Sequence, residues 1–140
     1  MIYLLLSNFF ISSFLLSLIL MTQIVNYPLL YKVKSDIFSE YHDSYVSKIS
    51  IIVVPMMILD FVISLLLFVL TKTYLVTISL FIVVLIFLTT FFIQVPIHDK
   101  LKFSANHKLI KKLINTNRIR TFLWFIKCII SFNLLLKETI

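Results

Sequence analysis

The sequence predicts an all-α protein, an integral membrane antiparallel four-helix bundle running up-down-up-down through a single transmembrane domain (1–140). Three observations predict it. Of the 140 residues, 61% are hydrophobic and only 14% charged, against about 25% charged in an ordinary soluble domain. Four apolar runs approach or exceed the ~20 residues needed to cross a ~30 Å hydrocarbon core. The polar connections between them are short enough to leave no room for a second domain. Glycine is absent and Ala105 is the sole alanine. Nucleotide-composition bias accounts for this more simply than a structural requirement, and close helix contacts then fall to serine, since small residues let helix backbones approach.

Charge and cysteine narrow the class. The net charge is +7, and seven of the 13 Lys and Arg residues lie between Lys100 and Arg120. A basic loop beside a spanning helix is a topology signal or an attraction to anionic lipid, so the partner it implies is the lipid bilayer and no nucleic acid. Cys128 is alone, can form no internal disulfide, and packs as a small hydrophobe.

Residues 1–31 carry no charge. They are too long for an ordinary signal peptide and lack its basic start and small-residue cleavage site. The first span is therefore read over about 2–25 and retained. Gln23, Asn26, Tyr27 and Pro28 stand at its end. Gln23 and Asn26, three apart, share a helix face, and Pro28 is expected to bend or end the helix. Interfacial polarity is the alternative reading of these groups.

The polar stretch 32–48 is near neutral. Ser35 is a candidate cap for a helix running uninterrupted into a second span over about 49–70. His42, Tyr45, Ile49, Ile52, Met56 and Asp60 follow at steps of three or four, which puts them on one stripe. Pro55 is expected to kink this helix. Asp60 is the one acid deep in a span, at an insertion cost of about 2.5–3.5 kcal/mol. Such residues face the bundle interior, find a partner or stay protonated.

Thr71, Lys72 and Thr73 form a tight connection that makes the second and third spans antiparallel. The third span covers about 74–95. Gln94, Pro96, His98 and Asp99 crowd its end. The chain has three histidines, His42, His98 and His107, but none of the H-x-x-x-H, E-x-x-H or C-x-x-C spacings that mark a metal site. No metal is assigned, and the cofactor is left unknown. A basic loop follows, in which His107 to Asn115 read as a short amphipathic helix lying on the membrane surface. Its apolar face is Leu109, Ile110, Leu113 and Ile114. The fourth span covers about 119–136. Asn117, Arg120, Thr121 and Trp124 share one face at its start. Lys127, deeper, either snorkels or pairs with Asp60.

Loops one and three hold ten basic residues, and the opposite side holds two or three. The positive-inside rule then makes 32–48 and 97–118 cytoplasmic, with both termini outside. On that orientation all four helices present polar or aromatic groups at the cytoplasmic leaflet. Random interfacial polarity would decorate both faces. The candidate chemical groups are His98 and His42 as general base, and Arg120 with Asn117 as holders of a developing oxyanion. Asn26, Tyr45, Asp60, Gln94, Thr121 and Trp124 are the candidate ligand-binding residues, with Trp124 and Tyr45 stacking on an aromatic ring. The matching ligand is a hydrophobic aromatic or quinone-like small molecule. A non-catalytic membrane component binding lipid or a partner subunit is the alternative, and a transporter a weaker third. Oligomeric state is not readable.

NYPL at Asn26–Leu29, EYHDSY at Glu40–Tyr45, TTFFIQVPIHDKL at Thr89–Leu101 and LINTNRIRTFLW at Leu113–Trp124 resemble a widespread group of bacterial four-helix membrane proteins of unknown function. That group is distantly similar to the anthrone-oxygenase-like membrane proteins, through a P-x-H/N-x-x-L segment and an N-x-x-R-T-x-x-W segment. Pro96, His98, Leu101, Asn117, Arg120, Thr121 and Trp124 match. The resemblance implies polycyclic phenols as a substrate class, with no obvious cofactor.

Overall fold

A computed structural model describes residues 1–139. Among them there are only helices, turns and short connections. Four long helices form the bundle: α1 (Ile2–Lys32), α2 (Phe38–Thr71) and α3 (Tyr74–Leu101), and α4 (His107–Thr139). Each packs against the next in sequence, and α4 returns to pack along α1. The expected antiparallel bundle is therefore the observed one, and all four helices are long and apolar enough to cross a membrane.

The connections follow from local chemistry. Lys72 closes α2 in the left-handed region at φ 50°, its N–H donating to Phe68 O. This is the one positive φ among the described residues. It falls on a lysine in a chain without glycine, the residue that ordinarily takes that conformation. Asn106 caps α4, its Oδ1 accepting from the backbone N–H groups of Lys108 (3.0 Å) and Leu109 (3.2 Å), which satisfies two orphan donors of the first turn. Ser35 does not cap α2. The helix starts at Phe38, after Ile37.

Both prolines near the polar helix ends are accommodated rather than obeyed. In α1 the turn Thr22–Asn26 widens to π geometry, with Tyr27 N–H donating to Thr22 O. In α3 the turn Thr90–Gln94 does the same, with Val95 N–H donating to Thr90 O. A proline clashes with the carbonyl four residues back and cannot donate to it. A π turn immediately before it relieves both problems, so the helices continue, to Lys32 and Leu101. Pro28 thus does not end α1. Pro55 likewise lies inside α2 without interrupting it.

Over residues 3–25, 51–70, 74–95 and 119–136 no charged side chain is exposed among the described residues, while large apolar ones are. This belt has a core of its own that includes Leu15, Met57, Ile86 and Trp124. The helices overrun the belt on one side. α2 and α4 begin 12 to 13 residues before it, roughly 20 Å at 1.5 Å per residue. A second core of Tyr27, Leu30, Phe38, Leu101, Ile110 and Leu113 holds the overhang together. The expected surface helix at His107–Asn115 is therefore the first turns of α4. Ile110 and Leu113 are fully buried, and burying them in the second core wins over laying them on a membrane.

Candidate functional site

Two polar layers cross the bundle. The first sits where the apolar belt meets the overhang. α2 brings His42 and α3 brings His98, and their rings stack with centroids 5.2 Å apart. His42 Nε2 and His98 Nδ1 share a hydrogen bond of 3.0 Å. His98 Nε2 and the Tyr27 hydroxyl of α1 share another of 3.0 Å. Phe38, one turn before His42, stacks on its far face at 5.7 Å. His42 is fully buried, and its Nδ1 has no hydrogen-bond partner.

One level toward the belt, α1 and α4 lock together. Asn117 Nδ2 donates to Gln23 Oε1 (2.9 Å), Gln23 Nε2 donates to Ile114 O (3.2 Å), and Arg120 Nη1 donates to Asn117 Oδ1 (3.2 Å). The guanidinium also faces the Tyr27 hydroxyl. Asn26 Nδ2 reaches the Tyr45 hydroxyl at 3.5 Å. Gln94 Nε2 donates to Thr116 Oγ1 (2.9 Å), and the Gln94 carbonyl oxygen is unpartnered. Arg120 is 6% exposed, its Nε is unpartnered, and no carboxylate among the described residues forms an ion pair with it. A buried cation without a counter-charge is costly.

Beside this layer lies a cavity of about 480 Å³, within the range of small-molecule pockets. Its polar end is formed by Tyr27, Tyr45, Gln94, His98 and Arg120, with Asp99 and Lys102 at the mouth. Its apolar end runs between Leu15, Ile19, Met57, Phe87 and Trp124. Val54 and Ile58 of α2 and Phe91 and Val95 of α3 also line it. These four are exposed on the outside of the bundle, so the cavity opens sideways between α2 and α3 within the apolar belt.

The second layer lies at mid-belt. Lys127 Nζ shares its three N–H donors among four oxygens, Asn8 Oδ1 (3.2 Å), Ser12 Oγ (3.1 Å), Ser131 Oγ (3.2 Å) and Asp60 Oδ1 (3.4 Å). Ser12 Oγ also donates to Asp60 Oδ1 (3.1 Å), and Asn8 Nδ2 donates to Ser64 Oγ (3.3 Å). Lys127 and Asp60 are fully buried. Neither lines the cavity.

Of the residues singled out from sequence, Tyr45, Gln94, His98, Arg120 and Trp124 meet at the cavity. His42 stands behind His98. Asn117 is spent at both ends of its amide, so it holds Arg120 rather than presenting a donor. Thr121 bonds back to Asn117 O at 3.0 Å, and Asn26 reaches the cavity only through Tyr45. Asp60 belongs to the mid-belt layer with Lys127. The predicted stripe also shifts: Ile52 is exposed, and Val53 packs inward in its place. Gln23 and Asn26 part company as well, one toward α4 and one toward α2, because the π turn between them breaks the ordinary helical spacing.

Tyr27, Gln23, Asn8, Ser12 and Ser131 are not among the site residues read from the sequence, although Gln23 and Tyr27 stand in the polar group at the end of the first span. A signal for the first two exists. Thr-x-x-x-amide-x-Pro occurs twice, at Thr22–Pro28 and Thr90–Pro96, and each copy forms a π turn ahead of a polar cluster. Among the described residues, no group of three or more His, Cys, Asp or Glu side chains is arranged to hold a metal ion. No protein-family profile, curated protein or solved structure matches the chain.

Proposed function

We propose that this is a multi-pass membrane protein that takes a hydrophobic aromatic or quinone-like molecule from the lipid into the cavity between α2 and α3, and binds or acts on it there. A flat apolar body fits between Leu15, Met57, Phe87 and Trp124. A phenol, enol or carbonyl oxygen then reaches the polar end, where Arg120 supplies the positive charge that a developing oxyanion needs. Tyr27 and His98 stand beside it for proton exchange. Asn117 keeps Arg120 aimed.

The observation that carries the reading is the position of Arg120: buried, in no ion pair with a carboxylate, at the polar end of a cavity whose far end is apolar and opens between α2 and α3. The resemblance to anthrone-oxygenase-like proteins adds polycyclic phenols as the ligand class. The excess of basic residues in 32–48 and 97–118 supports an orientation with the polar end on the cytoplasmic side of a cell membrane, the inner membrane of a bacterium that has two.

Native mass spectrometry of the detergent-purified protein, with organic extraction of the same sample, tests the reading. The expected result is a retained aromatic or isoprenoid molecule that is lost in Arg120→Ala. A wild-type protein that carries nothing overturns retention, and shifts the reading to a non-catalytic component that binds lipid or a partner subunit.

A further inference from the structure

We infer that Tyr27 is the group that exchanges protons with the bound molecule, and that His98 and His42 form a relay connecting it to the aqueous side. The inference rests on the ligand cavity proposed above.

Hydrogen-bond bookkeeping carries it. Tyr27 and His98 line the cavity, and His42 does not. Both His98 nitrogens are engaged, Nε2 with Tyr27 and Nδ1 with His42. His98 therefore has no free nitrogen for a ligand, and a proton moving between ligand and imidazole passes through the Tyr27 hydroxyl.

The chain has two possible proton orders, since a neutral imidazole donates at one nitrogen and accepts at the other. In one, Tyr27 donates to His98, His98 donates to His42, and His42 is left with an N–H at Nδ1, buried and without an acceptor. In the other, His42 Nε2–H donates to His98 Nδ1, His98 Nε2–H donates to Tyr27 Oη, and His42 Nδ1 is a bare lone pair. Orphaned buried N–H groups are the rarer kind of unsatisfied group, so the second order is the resting one. Arg120 faces the same tyrosine oxygen. With His98 donating to Tyr27 Oη in this order, the tyrosine's own O–H takes no part in the bond to His98 and is left to point at a ligand in the cavity.

The step then balances without electrons. Tyr27 gives its proton to a ligand oxyanion. His98 Nε2 gives its proton to Tyr27 Oη, His42 Nε2 gives its proton to His98 Nδ1, and His42 Nδ1, buried at rest, takes one proton from a water admitted to it from the overhang. The chain is then in the other order, with Nδ1–H on both histidines, and exchange of these N–H protons with water returns it to the resting order. Asp43, Asp99 and Lys102 are the charged groups within electrostatic reach of the histidines on that side.

The test uses the full chain in phosphatidylcholine–phosphatidylglycerol nanodiscs. Nitrogen NMR of the ligand-free protein should find His42 and His98 both protonated at Nε2, and Nδ1–H on His42 overturns the proposed order. An alkyl-substituted naphthol, whose neutral and ionised forms absorb differently, is then bound at alkaline pH and followed after a jump to neutral pH. Per molecule bound, protonation should be roughly 100-fold or more slower in Tyr27→Phe and His42→Gln than in wild type, the scale of one acid–base group. Wild-type rates in both variants overturn the relay while leaving the cavity intact. Failure of the naphthol to bind wild-type protein overturns the cavity itself, and the relay with it.

Discussion

The two polar layers are built from similar residues and come to opposite ends. At mid-belt, Lys127 and Asp60 neutralise each other, Asn8, Ser12 and Ser131 fill the remaining contacts of the ammonium, and neither charge lines the cavity. At the belt edge, Arg120 is nearly as buried but has only an amide oxygen and a tyrosine beside it, and a cavity in front. A charge-balanced network, in which Asp60 Oδ2 alone lacks a partner, ties α1, α2 and α4 in one register. An open one leaves a charge for something else to complete. Burial and polarity alone do not separate a structural cluster from a site. The state of the charge balance and the presence of adjoining space do.

The contrast breaks most visibly at Asp60. Asp60→Leu leaves Lys127 buried and uncompensated, and should destabilise the protein by about 3–5 kcal/mol, whereas Asp60→Leu combined with Lys127→Met should come close to wild type or exceed it. Unfolding in mixed micelles checks both. The same measurement on Arg120→Ala should show little loss, since no carboxylate is stranded. A large loss there would mean that the upper layer is structural too.

A smaller effect sharpens the comparison at Asn117. Asn117→Ala frees Arg120 and removes the donor on Gln23 Oε1. It should weaken binding of a lipophilic naphthoquinone about tenfold and cost about 1 kcal/mol of stability. Equilibrium titration in nanodiscs reads the first and the unfolding midpoint the second. Unchanged affinity would remove Asn117 from the group that aims the guanidinium.

Much of the bundle is legible in the sequence because membrane spans are written in single-residue hydropathy. Four helices long and apolar enough to cross a membrane stand where four spans are expected. The overhang is not legible that way. It depends on Ile110, Leu113 and Phe38 finding partners far along the chain, so His107–Asn115 passes for a free amphipathic helix. The belt-edge residues were found because polar groups there are conspicuous against an apolar background. Tyr27 is not legible as a site residue, because a tyrosine at a membrane boundary is ordinary and its link to His98 spans 71 residues. Asp60 shares a stripe with His42 in the sequence but not a site, because a helical stripe encodes direction but not depth: about 18 residues separate them, roughly 27 Å along the helix.

Trp124 offers the most direct test of the central claim. It is the only tryptophan, it is 1% exposed, and it lines the apolar end of the cavity. Titrating a lipophilic naphthoquinone into nanodiscs that hold the full-length protein should quench Trp124 fluorescence along a saturating curve, and Arg120→Ala should shift that curve to at least about tenfold higher quinone. Quenching that rises linearly with the quinone content of the lipid, with the same slope in both proteins, would contradict a cavity that binds its ligand through Arg120.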